Sequence, residues 1–414
     1  MLLHSQRCSS RNSSSKIAEE RPGHGVVETV TQGAWLHLSL DNVPQIKWGY
    51  ALASHAGCQG RMVFTSPCNP GAGVAKHTLK QDDRKDEATV TTELVLLGTA
   101  GAPLPIAGRG GISSALVVDE RIFVIDCGRG SPSGFANARL DFSRLEAVFL
   151  THLHADHTGD LAGMVVYPWG VRTGDHGALP PIRVYGPGRP DELPAGDATF
   201  HRKTTIHPEL PAPGTTDLVE YILAGYAYHL NVMPLDAHMP DPAALVRGVD
   251  ILIPPQTEGN TQTSVVVFED QMIRVTAVAV THGRAVPALA YRFDTADGSV
   301  VFSGDTTVND NLIALAQGAD ILVHQVADLN YLERHGISGP ALERMAALHT
   351  DITEVGGVAE RACVRELVLN HYLPAEPDAI TAAEWAERAG QGFSGTTIAG
   401  SDGLRRVLPH VSAS

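Results

Sequence analysis

The run Ala147-Val148-Phe149-Leu150 passes without a break into Thr151-His152-Leu153-His154-Ala155-Asp156-His157-Thr158-Gly159-Asp160. An apolar tetrad that ends in three histidines and an aspartate puts ionisable side chains on the loop leaving a buried strand. Residues two apart on such a loop bring two imidazoles to one metal ion, and the next pair can serve a second. Imidazole and carboxylate together suit zinc and its borderline neighbours, and a catalytic site of that kind keeps one coordination position open for water. A solvated loop that is histidine-rich by chance is the plain alternative, and the rest of the chain argues against it.

Downstream, apolar strands repeatedly close on one polar residue: Val278-Ala-Val-Thr-His282, Val301-Phe-Ser-Gly-Asp305, Ile321-Leu-Val-His324 and Leu367-Val-Leu-Asn-His371. Each ionisable group stands where a strand opens into a loop. Residues 93–97, 114–118 and 121–126 are β-rich runs bounded by turn residues. Further strands are expected at 181–185, 272–280, 288–293, 299–303, 321–323 and 366–369, and helices at 160–167, 216–227, 309–316 and 351–361. The last helix has Asp351 with Glu354 three residues on, the form of a capping box. Strands followed by helices in both halves predict an α/β sandwich. The Pro-rich stretch from about 189 to 259 reads as an insertion or cap. Residues 1–27 read as a disordered leader and 28–90 as an unassigned extension and linker, which leaves 91–414 as the main domain.

The 414 residues include 31 Lys and Arg against 46 Asp and Glu, a formal charge of −15, with 43% apolar content. That content can bury a full core. The acidic balance, with no long basic run, argues against a surface built to neutralise many phosphates, so a small-molecule substrate is expected and nucleic acid is not. No apolar run reaches the roughly 18 residues that would span a bilayer, and Met1-Leu2-Leu3 is followed at once by polar residues, so a cytoplasmic protein with no membrane partner is expected. Five scattered cysteines without a C-x-x-C pair form neither a disulfide framework nor a thiolate zinc knot. Histidine is the abnormal count, at 19.

Taken in order, these motifs resemble the metallo-β-lactamase fold superfamily, and within it the ribonuclease Z and arylsulfatase-like branch. The stretch from Thr151 to Asp160 matches the superfamily's H-x-H-x-D-H signature without departure. The other matches follow the family's order: Leu97-Gly98-Thr99-Ala100-Gly101 with Arg109 beyond it, Asp126-Cys127-Gly128, Tyr185-Gly186-Pro187-Gly188, His282 before Pro287-Ala-Leu-Ala-Tyr-Arg292, Ser303-Gly-Asp-Thr306, His349-Thr-Asp351 and Leu369-Asn-His371. The resemblance covers about residues 93 to 405. It implies a four-layer αββα sandwich carrying the inserted segment, and often a homodimer.

Carried over by position, the resemblance implies that His152, His154 and His282 hold one metal, that Asp156, His157 and His371 hold the second, and that Asp305 bridges them. Two zinc ions, with manganese or iron as substitutes, would then make a bridging hydroxide available near neutral pH, with Asp156 and Asp305 orienting it. His324 occupies the position of a histidine associated with leaving-group departure, so it is expected as a catalytic residue, although Gln325 stands where the family has a glutamate. His349 is expected to contact substrate, and Trp169 and Tyr185 to line the pocket.

The preferred reading is a dinuclear hydrolase of a small-molecule ester-like bond: an aryl sulfate, a phosphodiester or a lactone. A transfer-RNA 3′-processing endonuclease is the alternative, carried by the ribonuclease Z-like motif order but set against the acidic stretches 191–197 and 236–250 of the insertion. A β-lactam hydrolase is chemically accessible, with no residue that favours it. A non-catalytic metal-stabilised binder has no support while every ligand position is filled. A di-iron redox role would replace a first-motif histidine, and His154 is intact.

Overall fold

The computed structural model describes residues 91–174, 177–190, 192–194, 204–254 and 263–408. The chain divides into residues 1–81 and 82–414, and the first unit, with the leader and most of the extension expected there, lies outside the described residues. Sixteen strands are described: β1 Thr92–Gly98, β2 Ser113–Val118, β3 Arg121–Ile125, β4 Leu145–Phe149, β5 Thr173–Gly174, β6 Gly177–Ala178, β7 Ile182–Pro187, β8 Val246–Ile251, β9 Val265–Glu269, β10 Ile273–Val280, β11 Ala288–Thr295, β12 Gly298–Phe302, β13 Ile321–Ala327, β14 Glu366–Leu373, β15 Thr396–Ala399 and β16 Arg405–Val407. Two seven-stranded mixed sheets contain all but the short β5–β6 ribbon. Their orders are β16-β1-β2-β3-β4-β7-β8 and β15-β14-β13-β12-β11-β10-β9.

Both faces of each sheet are covered, which is why the strands read as continuous apolar runs rather than alternating ones. In β1, Leu94 and Leu96 enter the core between the sheets while Val95 and Leu97 face the outer helices. In β3, Phe123 and Ile125 point inward and Ile122 and Val124 outward. Across the middle, Phe149 of β4 meets Phe293 of β11 edge-on at 5.2 Å between ring centroids. The Tyr291 hydroxyl donates to the Leu150 carbonyl at 2.7 Å, tying the sheets together just below the histidine loop. Helices close the outer faces. Ile352–Arg361 buries Ile352, Val355, Val358 and Ala359 against the second sheet, at the spacing of one helical face. Layers of helix, sheet, sheet and helix make the expected αββα sandwich.

Element boundaries follow the sequence closely, with instructive exceptions. The helix expected at 216–227 is two helices, Thr215–Gly225 and Ala227–Asp236, broken at Tyr226. Within the stretch read as an insertion, β8 pairs in parallel with β7 and forms the edge of the first sheet. Ala382–Ala389 was not expected, although Thr381 and Glu384 form a full capping box before it. At Asp351 the side chain accepts instead from Thr353, at 3.0 Å. No helix among the described residues is long and apolar enough to cross a membrane.

The sense of the strands decides where chemistry can occur. β3, β4 and β7 are parallel, as are β12, β13 and β14. Carboxyl ends of parallel strands converge on one rim, where side chains on the following loops meet. The loops after β4, β10, β12 and β14 carry or adjoin all the expected metal ligands.

Candidate metal centre

Three groups of donors stand within 4.8 Å of one another: His152, His154 and His282; Asp156, His157, Asp305 and His371; and His282, Asp305 and His349. Asp305 joins the groups. Its Oδ2 lies 3.2 Å from His371 Nε2, 3.5 Å from His157 Nε2 and 3.7 Å from His282 Nε2, the geometry of a carboxylate between two sites. Asp156 Oδ2 is 3.5 Å from His371 Nε2 on the second site.

Local backbone aims these groups. Gly304 holds φ +57, where a β-carbon would meet the Leu289 carbonyl at 2.6 Å, and this tight turn turns Asp305 back over the end of β12. His371 sits at a bulge. Gln325 pairs with Asn370 and Val326 with Tyr372, which leaves His371 as the extra residue at φ 45, with its N–H held by the Asn370 side chain at 2.8 Å. A bulge re-aims a side chain out of the strand's alternation. Gly101 permits the close approach, because a β-carbon there would meet His371 Nδ1 at 2.7 Å.

The far ring nitrogens are anchored. His157 Nδ1 donates to Asp126 Oδ2 at 2.8 Å, and His282 Nδ1 donates to the Leu348 carbonyl at 2.8 Å. Each bond fixes the tautomer and turns the Nε2 lone pair into the site, as outer partners of metal-ligating histidines do. Asp126 also accepts from the Thr151 N–H and hydroxyl, at 2.8 and 2.9 Å, so it braces the whole histidine loop. Sequence reading placed Asp126 in a motif but gave it no role; its signal was that β3, like the ligand strands, closes on an ionisable residue. Asp126→Asn is expected to weaken metal affinity about 10- to 100-fold, measured by competition with a chromogenic chelator. Wild-type affinity in this variant would remove Asp126 from the site.

The histidine triad and the carboxylates have the electrostatics of a cation-binding centre, whereas His157, with burial outweighed by Asp126 and Asp305, is held well above the ordinary imidazole range and would have to give up its Nε2 proton to an incoming cation. Burial pushes His152 well below the ordinary imidazole range, and burial also lowers His154 and His282, so this triad is neutral and able to donate lone pairs. Burial acts on Asp305 in the opposite sense, but His371 and His157 outweigh it and hold the carboxyl well below its usual range. Asp156 is likewise held low, with burial overcome by the His371 hydrogen bond and the His157 charge. Buried and without hydrogen-bond partners are His152 Nε2, His157 Nε2, both His371 ring nitrogens and Asp305 Oδ1. Each such atom costs about 1–3 kcal/mol when left unpaired. The Nε2 atoms of His152, His157 and His371 are all turned toward the donor groups, as the ligands of a bound cation would be.

Three expected residues do not join. His324 is fully buried, with Nδ1 donating to the Gln325 carbonyl at 2.6 Å, and burial lowers its pKa to about 4. Strand parity is the reason. Ile321 and Val323 enter the core between the sheets and Gln325 the cavity beside it, whereas Leu322, His324 and Val326 turn toward the helices. Trp169 is buried among the outer-layer apolar residues and donates to the Pro240 carbonyl, and Tyr185 stacks on Phe149 in the inner core. Neither lines the site. His349 does join: its Nδ1 is 3.1 Å from Gln325 Oε1 and 3.9 Å from Asp305 Oδ2, and burial lowers its pKa to about 3.

The family profile described as the metallo-beta-lactamase superfamily matches residues 107–352. The chain belongs to that superfamily. Its ribonuclease Z branch is the one supported: Ribonuclease Z of Mycobacterium sp. (strain KMS) is 31% identical over 318 residues, covering 77% of this chain and 96% of the relative. Ribonuclease Z of Mycobacterium bovis (strain BCG / Pasteur 1173P2) is 28% identical over 318 residues, with 77% and 98% covered. Human tRNase Z, short form, is a solved structure similar to 77% of this chain and 99% of its own, at 18% identity and a TM-score of 0.49. The chain is thus a superfamily hydrolase whose clustered histidines and aspartates could hold metal ions, and the arylsulfatase-like side of the expectation gains no support from these relatives.

The ribonuclease relatives also correct the expected partner. The acidic balance led to the expectation of a small-molecule substrate, with a transfer-RNA endonuclease only as the alternative, and relatives matched over nearly their full length are named ribonucleases. Net charge is a sum over the whole surface, whereas contact with a phosphodiester depends on the few cations and metal ligands at the rim.

Proposed function

We propose that this superfamily hydrolase is a ribonuclease Z-type endonuclease, cutting a phosphodiester bond of a transfer-RNA precursor at its 3′ side, with zinc as the working ion. The observation that carries this reading is the match to Ribonuclease Z across 96% of that relative, centred on seven donors brought together at one rim. Imidazoles and carboxylates with no thiolate suit zinc, with manganese as a substitute. Two divalent ions held there supply Lewis acidity to the phosphoryl group and acidify water.

The chain's own residues do the rest. Asp305 holds the two groups of donors in register, and Asp126 with the Leu348 carbonyl keeps two imidazoles turned into the site. His349, next to Asp305 and fixed by Gln325, is the side chain placed to handle the proton of the leaving oxygen. That role passes to it from His324, which faces away. Cleavage of a labelled precursor tRNA by the full chain, with and without chelator, tests the reading. A single cut on the 3′ side that chelator abolishes and zinc or manganese restores is expected. An intact precursor in the presence of a fully metal-loaded chain would sink the endonuclease reading.

A further inference from the structure

Beside the metal rim lies a cavity of about 720 Å³ with an unusual electrostatic character. Its walls are the loop that follows β1, the helix Ser131–Asn137 that follows β3, and the turn between β15 and β16. β1 runs in the same sense as β3 and β4, since each is antiparallel to β2 or parallel to β3, and β15 is parallel to β14. The loop, the start of the helix and the turn therefore stand at the end of the sandwich that carries His152–His157 and His371, and the cavity runs from there along the sheet to Ala138 and Arg405, which pairs with Val95 in the middle of β1.

Three arginines line the cavity: Arg109, Arg139 and Arg405. Arg405 is already engaged, with Glu93 and with the Ala138 carbonyl. The other two are not. Arg109 lies 4.5 Å over the ring of Tyr372, the residue after His371, and its Nη1 is buried without a hydrogen-bond partner. Arg139 is exposed, and its side chain makes no hydrogen bond or ion pair among the described residues. The carboxylate in the cavity, Asp402, has each oxygen committed: Oδ1 accepts from the Thr99 hydroxyl at 2.8 Å and Oδ2 from the Gly110 N–H. Ser133 and Asn137 add neutral polar groups to the same wall. A chain with 46 acidic against 31 basic residues thus presents two guanidinium groups without bonded carboxylates in one cavity, Arg109 beside the residue after His371 and Arg139 further along the sheet. Planar guanidinium forks match phosphate oxygens and are the usual means of holding them.

The geometry points to a second phosphate site here, in which Arg109 and Arg139 hold a backbone phosphate of the RNA substrate away from the bond that is cut. The inference rests on the ribonuclease reading for its ligand and on the cavity for its location. It also answers how an acidic protein grips RNA: by a local cationic pocket rather than a basic surface, so that a few phosphates, not the whole duplex, set affinity.

The test uses the full metal-loaded chain and the variants Arg139→Ala, Arg139→Glu and Arg109→Lys. Arg139 is exposed, so its variants fold whatever becomes of the partly buried Arg109. On precursor tRNA, both Arg139 variants are expected to raise KM about tenfold or more and to lower the slope of log KM against log salt by about one, with kcat on bis(p-nitrophenyl) phosphate unchanged. Titration with inorganic phosphate should give weaker binding in the variants than in the wild type. Unmoved KM and salt slope for RNA would overturn the site as an RNA contact, while precursor cleavage by the wild type would still uphold the ribonuclease reading. Should the wild type cut no RNA, arginine-dependent phosphate binding would keep the anion site and discard the ribonuclease reading. Equal phosphate binding in wild type and variants would overturn the site on its own.

Discussion

Asp305→Ala is expected to leave about one metal ion or fewer per chain and to lower turnover at least about a thousandfold, equivalent to about 4 kcal/mol of transition-state stabilisation. The size of the effect follows from position. Its Oδ2 is within 3.7 Å of a ring nitrogen of His157, His282 and His371, so one carboxylate offsets charge on both sides of the centre at once. Removing it leaves each ion with mostly neutral donors, and the two ions repel each other across a buried space where screening is weak. Asp305→Asn keeps the shape without the charge and should show nearly the same loss, which separates electrostatics from packing. Elemental analysis beside precursor cleavage reads both quantities. Two ions per chain and near wild-type turnover in Asp305→Ala would mean that the two groups of donors do not share a bridge.

His349→Ala should cut kcat about 10²- to 10⁴-fold, the range for loss of a proton-transferring group, with metal content and KM kept. His349 stands 5.3 Å from His282 and 5.7 Å from His371 between ring centroids, and it is oriented by the neutral Gln325 rather than by a carboxylate. The paired control is His324→Ala, twenty-five residues earlier in the chain and on the face of β13 opposite Gln325, which holds His349. That variant should leave kcat and metal content unchanged and lower the melting temperature, because it empties a fully buried position. A fall in kcat from His324→Ala with none from His349→Ala would reverse the assignment and restore the role inferred from the motif alone. Loss of metal from His349→Ala would instead make it a ligand of the third donor group, with His282 and Asp305.

Much of this centre was legible before any coordinates. The alternation of apolar runs with single ionisable residues, from Thr151 to His157 and again at His282, Asp305 and His371, identifies the strand ends that carry donors, because a polar group closing a buried strand has to leave the core. β12 and β14 run parallel to β13, and β10, antiparallel to β11 as β12 is, runs in the same sense, so their ends collect on one rim. Asp126 was equally visible as a residue type and a position, but its use as the brace for His157 depends on a side chain 31 residues away.

By itself, then, the amino-acid sequence determined the fold class and the strand ends that carry ionisable residues, since these depend on local periodicity and on motif order, while the choice of seven of those residues as metal donors came from the resemblance to the superfamily. Tertiary structure alone decided which neighbours look into the site. His324 and Gln325 are adjacent, and strand parity sends the first toward the helices and the second to His349. Tyr185 and Trp169 are aromatic residues near the histidine loop in sequence, and the layers of the sandwich claim both for packing. The arginine cavity joins residues 109 and 139 with residue 405 near the far end of the chain, and the charge sum over the chain pointed the other way. Facing is set by which layer covers each side of a sheet, and local charge by which loops share a rim; both are contacts between distant segments, and no window of sequence contains them.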